Sequence, residues 1–247
     1  MKRCLVIKYA LVAFVATGLS SSLAGCGREP EVAQLQGRSE SGWRQPPSVA
    51  RVGWGNGEVL LDGVADPGAR VVFAGENGQA YAGTADAGGQ FHISLRVPEG
   101  GLMLRPRVQV GERFAEGPGL LFLSRGPNPV AAVLFAGEGA FRLDGQTGLD
   151  AIDADGKTLI VSGRVGHDKK PSLRVAGVLV PAEPNDDGRW AVVVPFGAGG
   201  AQIELDGRVY QYPGMGTQDR VLTREGWALR RNFVGGAVQT TWLPANK

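Results

Sequence analysis

The sequence predicts an all-β protein built from two sandwich domains in series, and three observations carry that prediction. Glycine supplies 39 of the 247 residues and proline 15, a density of turn formers that favours many short strands over long helices. Between the turns the apolar residues alternate: Phe91, Ile93, Leu95 and Val97 are interleaved with His92, Ser94 and Arg96, as in a strand with one wet face. The pattern is also written twice. Val59-Leu60-Leu61-Asp62-Gly63 aligns with Leu159-Ile160-Val161-Ser162-Gly163, Gly89-Gln90-Phe91 with Gly188-Arg189-Trp190, and Gly100-Gly101 with Gly199-Gly200. An offset of about 100 residues is too long for a solenoid unit and suits a duplicated sandwich domain.

In chain order, residues 1–25 read as a secretory signal, with Lys2, Arg3 and Lys8 ahead of an apolar run from Tyr9 to Leu19 that is too short to span a bilayer. Leu23-Ala24-Gly25-Cys26 resembles a bacterial lipobox. The resemblance implies cleavage before Cys26, a diacylglycerol on its sulfur and an acylated amine. At about 0.8 kcal/mol per buried methylene, several acyl chains hold firmly to a membrane. Gly27 stands where an Asp, by the enteric sorting rule, would retain the protein at the inner membrane. The outer membrane is therefore the expected address, facing the periplasm, with the cell surface as the alternative. Removing Lys2, Arg3 and Lys8 from 26 basic side chains leaves 23 against 24 acidic ones, so no basic footprint for nucleic acid remains. Cys4 leaves with the signal and Cys26 is modified, which leaves neither disulfide nor thiolate chemistry for the mature domains. Residues 26–47 are the anchor and a polar tether. About 20 flexible residues give a typical end-to-end distance of about 25 Å. Trp43 has two equal readings, at the membrane interface or packed on the first domain.

The first domain is expected over 48–127. Val59-Leu60-Leu61 is a strand, Asp66-Pro67-Gly68 its turn, Arg70 to Phe73 the return, and Asn77-Gly78 a hairpin signal. Asp86-Ala87-Gly88-Gly89 then turns into the Phe91 strand. Leu102, Leu104, Val108 and Val110 alternate with polar neighbours around Pro106, an edge or a bulge. Leu120 to Leu123 completes the domain. The second copy, 128–214, has core candidates Leu159, Val161, Val165, Leu173, Val175, Trp190, Val192, Val194, Ile203 and Leu205, with a turn at Asn185-Asp186-Asp187-Gly188.

This order of strand, Pro-Gly-Ala turn, strand, Ala-Asp-Ala-Gly-Gly turn and aromatic-led strand resembles bacterial Ig-like and carboxypeptidase-regulatory-like modules. It covers Val59 to Val97 well and the second copy less well, because Asp168 to Pro171 replaces the Pro-Gly-Ala turn. The resemblance implies adhesion, spacing or display, and no functional residue transfers from it.

Residues 215–247 are expected to form a C-terminal hairpin about Gly235-Gly236, with Leu229 opposite Trp242 and Phe233 opposite Val238. A lone hairpin is marginal in water, so its apolar face must dock. Tyr210, Tyr212, Trp227, Phe233 and Trp242 form the candidate binding surface, since aromatic platforms suit a partner's apolar anchor or a sugar ring.

Catalytic and metal chemistry find little footing. His92 lies on the polar side of its strand and His167 in the charged loop His167-Asp168-Lys169-Lys170. Asp150, Asp153 and Asp155 precede Gly156 without the third carboxylate or closing Glu of a calcium loop, so a plain turn is read there, with Asp153 or Asp155 the candidates for an inter-domain calcium. Ser94, Ser124, Ser162 and Ser172 lack a nucleophile-elbow context. The expectation is a non-enzymatic envelope lipoprotein without cofactor or metal, whose Ig-like domains act as a scaffold, spacer or binding module for an envelope protein; a glycan or peptidoglycan binding module using the C-terminal aromatics is the alternative.

Overall fold

The computed structural model describes residues 45–55, 57–144 and 147–245. The expected signal (1–25), the expected lipidation site Cys26, most of the expected tether and Trp43 lie outside the described residues. Among the described residues the chain forms twenty β-strands, paired antiparallel throughout, and no helix.

The first repeat comprises β1 (Ser48–Gly55), β2 (Glu58–Val64), β3 (Arg70–Gly75), β4 (Ala80–Thr84), β5 (Gln90–Leu95), β6 (Leu102–Val110) and β7 (Arg113–Glu116). Strands β1-β2-β5 make sheet A, which faces β4-β3-β6-β7 of sheet B. The second repeat comprises β11 (Gly148–Ala154), β12 (Thr158–Arg164), β13 (Leu173–Val175), β14 (Val178–Val180), β15 (Arg189–Pro195), β16 (Ala201–Leu205) and β17 (Arg208–Tyr212). Here β11-β12-β15 belong to sheet C and face β14-β13-β16-β17, sheet D. Each repeat is followed by three further strands. Strands β8 (Leu120–Leu123), β9 (Ala131–Leu134) and β10 (Phe141–Arg142) extend sheet B, while β18 (Arg220–Leu222), β19 (Gly226–Asn232) and β20 (Val238–Pro244) extend sheet C, where β20 pairs with β11. Residues 131–142 thus hydrogen-bond into sheet B, with β9 on β8, although the sequence reading groups them with the second copy.

The duplication is visible in detail. The β1–β2 and β11–β12 pairs both skip one residue, Ala50 and Asp150, in a β-bulge at the same place. Opposite each bulge sits a glycine under an aromatic ring. A Cβ on Gly63 would meet the Ser48 carbonyl oxygen at 2.2 Å and Phe91 at 2.4 Å, and one on Gly163 would meet the Gly148 oxygen at 2.4 Å and Trp190 at 2.5 Å. The turns correspond as well. Asp86 Oδ1 accepts from the amides of Gly88 and Gln90 at 2.8 and 2.9 Å, and Asn185 Oδ1 from those of Asp187 and Arg189 at 3.1 and 2.9 Å. Asp168, which stands where the first copy has Gly68, takes the same left-handed backbone at φ 59° against 71°; Asp tolerates that region better than most side chains. The Pro-Gly-Ala turn is therefore replaced in sequence and kept in shape.

Three cores separate four sheets. Val59, Leu61, Val71, Phe73, Phe91 and Ile93 are among those that fill the space between sheets A and B; Leu159, Val161, Leu173, Trp190, Ile203 and Trp242 are among those between C and D. The third core lies between B and C. It holds Met103, Phe122, Val130, Ala132, Leu134 and Ala140 from one side and Ala151, Trp227, Leu229 and Leu243 from the other. Its members alternate along each strand with residues of the outer cores: Leu121 and Leu123 point one way and Phe122 the other, Ala228 one way and Trp227 and Leu229 the other. Double-sided burial explains the unbroken apolar runs of β8 and β9. Apart from Met103 and Ala151, this middle core comes from the two appended sets of strands and their connections.

The C-terminal hairpin has a three-residue loop, Val234-Gly235-Gly236, closed by the Phe233 amide on the Ala237 oxygen at 2.8 Å, with both glycines at positive φ. The extra loop residue moves the register by one from the sequence expectation. Leu229 faces Thr241 and Ala228 faces Trp242. Such a slip exchanges the two sides of a strand, so Trp227 and Trp242 point into different cores.

Candidate functional site

The aromatic candidates are not brought together as one surface. Trp242 (1% exposed) and Tyr212 (2%) pack in the core between sheets C and D, ring centroids 6.0 Å apart. Trp227 (5%) stands edge-on to Phe122 at 5.3 Å in the middle core. Burial pushes the Tyr212 hydroxyl well above the usual tyrosine range, as expected for a group shielded from water. Tyr210 and Phe233 remain half-buried, each beneath a guanidinium: Arg208 lies 5.0 Å from the Tyr210 ring and Arg231 5.5 Å from that of Phe233.

The titratable residues singled out in the sequence find structural partners. On the outer face of sheet A, Asp62 bonds His92 Nδ1 at 2.6 Å and Arg51 Nε and Nη2 at 3.0 and 2.9 Å, and these hold its carboxyl below the usual range. His167 Nε2 lies 3.4 Å from Asp168 on an exposed loop. Asp155 closes an Asx turn, accepting from the amides of Lys157 and Thr158 at 2.8 and 2.7 Å. Asp153 is fully buried. It accepts from the Ala140 amide at 2.7 Å, from Gln239 Nε2 at 2.9 Å and from the Thr241 hydroxyl, with Arg231 Nη2 at 3.8 Å. Among the described residues no three His, Cys, Asp or Glu side chains gather as metal ligands would.

The Asp153 cluster is one half of a polar seam that stitches β10 of sheet B to sheet C. Asp153 takes the Ala140 amide, Ser162 Oγ donates to the Ala140 oxygen at 2.5 Å, and Asp150 takes the Arg142 amide at 3.2 Å. Arg142 in turn binds Asp144 and donates from Nη1 to the Pro244 oxygen at 2.7 Å. The bulge aims Asp150 at β10, a recurrent use of bulges. Burial raises the carboxyls of both Asp150 and Asp153 to about 6. Farther along, Arg220 of β18 reaches Glu76 at 2.6 Å and the Gly101 oxygen at 3.0 Å in the first repeat. In sequence Asp150 and Asp153 read as part of a plain turn. The seam itself joins residues from 8 to 102 positions apart.

A concavity of about 590 Å³ lies at one end of the second sandwich. Leu205 and Val165 floor it, the 166–170 loop and the β16–β17 turn form its walls, and Arg164, Lys169, Lys170 and Arg208 line it with Tyr210. Lys170 is paired with Glu183 at 2.7 Å. Among the described residues Lys169 and Arg208 form no ion pair, and Arg164 Nε is buried without a hydrogen-bond acceptor. The one acid of the lining, Asp206, is engaged by the Ser172 amide at 2.8 Å. In sequence these cations read as an exposed charged loop and scattered strand ends; only the fold gathers them.

No protein-family model matches the chain, and no curated protein matches it. What can be said of its relationships is therefore internal: the chain is an all-β protein of several antiparallel sheets in which one strand plan occurs twice.

Proposed function

We infer that the protein is a non-enzymatic, lipid-anchored protein of the outer membrane, facing the periplasm, whose two Ig-like sandwiches act as a rigid scaffold for an envelope protein partner. The address rests on the Leu23-Ala24-Gly25-Cys26 lipobox resemblance and the polar tether behind it. The Ig-like reading is supported by each repeat's three-on-four arrangement, β1-β2-β5 against β4-β3-β6-β7 and β11-β12-β15 against β14-β13-β16-β17.

The observation that carries the scaffold reading is the middle core. Tandem sandwiches on a flexible linker move independently by default. Here, four strands beyond the repeats, β8, β9, β19 and β20, lie where they bury Phe122, Trp227, Leu229 and Leu243 against one another. An arrangement of that kind serves a function in which the spacing of two surfaces matters. The three buried aromatics are committed to packing, which weighs against a tryptophan platform for glycans.

Cross-linking in intact cells, followed by mass spectrometry of what the tagged protein captures, tests the reading. One dominant envelope protein is expected. Capture of wall fragments alone, or of nothing, contradicts it. The anchor is tested separately: Cys26→Ser is expected to move the protein from the membrane fraction to the soluble one, and a variant that stays with the membrane contradicts the lipobox assignment.

A further inference from the structure

The two repeats share a strand plan but not the chemistry of their ends. By the common register, Arg164 stands where the first copy has Val64, Lys169 where it has Ala69, and Lys170 where it has Arg70. The β6–β7 and β16–β17 turns correspond through the pairs Val110 with Arg113 and Leu205 with Arg208, which sets Tyr210 against Ala115. The second copy has thus gained two cations and an aromatic ring around one open end, and those three residues line the 590 Å³ cleft.

Four cations converge there against one acid already bonded to an amide. Lys170 is neutralised by Glu183, and Arg164 is turned partly inward, its Nη2 donating to the Arg142 oxygen at 3.4 Å and its charge acting on the Asp150 carboxyl, but Lys169 and Arg208 have no carboxylate partner among the described residues. Concentrated like charge in a walled cleft focuses potential on an anion. The volume is that of a small-ligand site rather than of a single ion. Thr147, the glycine backbone at Gly148 and Gly166, and the Tyr210 ring add polar and flat surface beside the charges, which suits a hydroxyl-rich ring bearing an anionic group.

We propose that this cleft binds a phosphate- or carboxylate-bearing sugar, with Lys169 and Arg208 receiving the anionic group, Arg164 adding positive charge behind them and Tyr210 flanking the ring. The proposal does not rest on the scaffold reading, and the binding titration and the cross-linking can fail independently.

The test is a titration of the purified full-length protein in detergent, followed by amide chemical shifts, with N-acetylglucosamine 6-phosphate, its unphosphorylated form and inorganic phosphate as probes. Saturable binding of the phosphosugar is expected, with shifts centred on Gly148, Gly166, Lys169 and Asp206. The neutral sugar should bind at least ten-fold more weakly, and inorganic phosphate more weakly than the phosphosugar. Lys169→Glu and Arg208→Glu should each reduce affinity about ten-fold, while reversal of a cation outside the cleft, Lys157→Glu, should not. Stronger retention on vesicles carrying phosphatidylinositol phosphate than of the free sugar assigns the group to a lipid headgroup; the reverse order assigns it to a soluble or polymer-borne sugar. Absence of saturable binding, or binding that survives both reversals, overturns the proposal. Equal affinity for inorganic phosphate overturns the sugar assignment.

Discussion

Truncating Trp227 is the perturbation on which the middle core bears most. The side chain is buried between sheets B and C, edge-on to Phe122 and in the same cluster as Met103, Leu229 and Leu243. A buried tryptophan removes on the order of 200 Å² from water, and at about 25 cal/mol per Å² that corresponds to about 5 kcal/mol. Core Trp→Ala changes cost roughly 3–5 kcal/mol once partial relaxation is included, so Trp227→Ala should lose about 4 kcal/mol. The two sandwiches should also part company. In the unaltered protein, urea unfolding followed by circular dichroism and by hydrogen exchange should be one transition, because both repeats share a core. In Trp227→Ala the probes should separate into two transitions, with the second repeat, which loses the hairpin's support, melting first. Trp242→Ala, a deletion of the same size in the core between C and D, serves as the comparison: it should destabilise the second repeat without exposing Phe122. A loss below about 1 kcal/mol for Trp227→Ala, or two transitions in the unaltered protein, would refute the coupling.

Other consequences concern single sites. Gly63→Ala and Gly163→Ala place a Cβ within 2.5 Å of backbone oxygen and an aromatic ring; overpacking of this kind costs roughly 1–3 kcal/mol, and equal losses at the two positions in denaturant melts would bear out their equivalence. Ala176 holds φ at 50° between β13 and β14, where left-handed backbone costs roughly 1 kcal/mol or more; Ala176→Gly should raise the melting midpoint, and an unchanged or lower one would contradict the strain. Asp150 and Asp153 have carboxyls raised to about 6 in the fold from an ordinary 3.8. Between those limits the folded state binds more protons than the unfolded chain, so stability should rise as pH falls from 7 to about 4.5, by up to about 2 kcal/mol per group. Below that, protonation of Asp62 and Asp155, whose carboxyls are held low, removes stability again. A urea midpoint that falls steadily from pH 7 to 5 would contradict the burial argument, and Asp153→Asn should flatten the rise.

The repeat was legible because each copy must solve the same local problem: a glycine beneath an aromatic ring, an Asx turn before the aromatic-led strand, and alternation along half-buried strands. Those devices act within one hairpin and leave a residue pattern. The middle core leaves a weaker one. Runs such as Leu120 to Leu123 and Ala131 to Leu134 announce burial on both faces, but nothing local says that the covering sheet comes from residues 226–244. The hairpin's existence was legible from Gly235-Gly236, whereas its register hinged on one loop residue, and with it the side to which Trp227 and Trp242 point. The cleft cations were illegible for a different reason. Charges at strand ends and in loops look solvated wherever they occur, and Arg164, Lys169 and Arg208 become a site only when the ends of β12, β16 and β17 meet.

The most direct measurement is a pulsed electron–electron distance between spin labels on the two outermost sheets, at Ser94→Cys on sheet A and Gln202→Cys on sheet D, in a chain with Cys4 and Cys26 replaced by Ser. Both positions face outward. Three intervals between packed sheets, at about 10 Å each, make about 30 Å the least separation before the sideways offset of the repeats and the label arms are added. A single narrow distribution at or beyond that value is expected of two repeats fixed through Phe122 and Trp227. A broad or bimodal distribution would show the sandwiches moving on a hinge and would contradict the rigid scaffold.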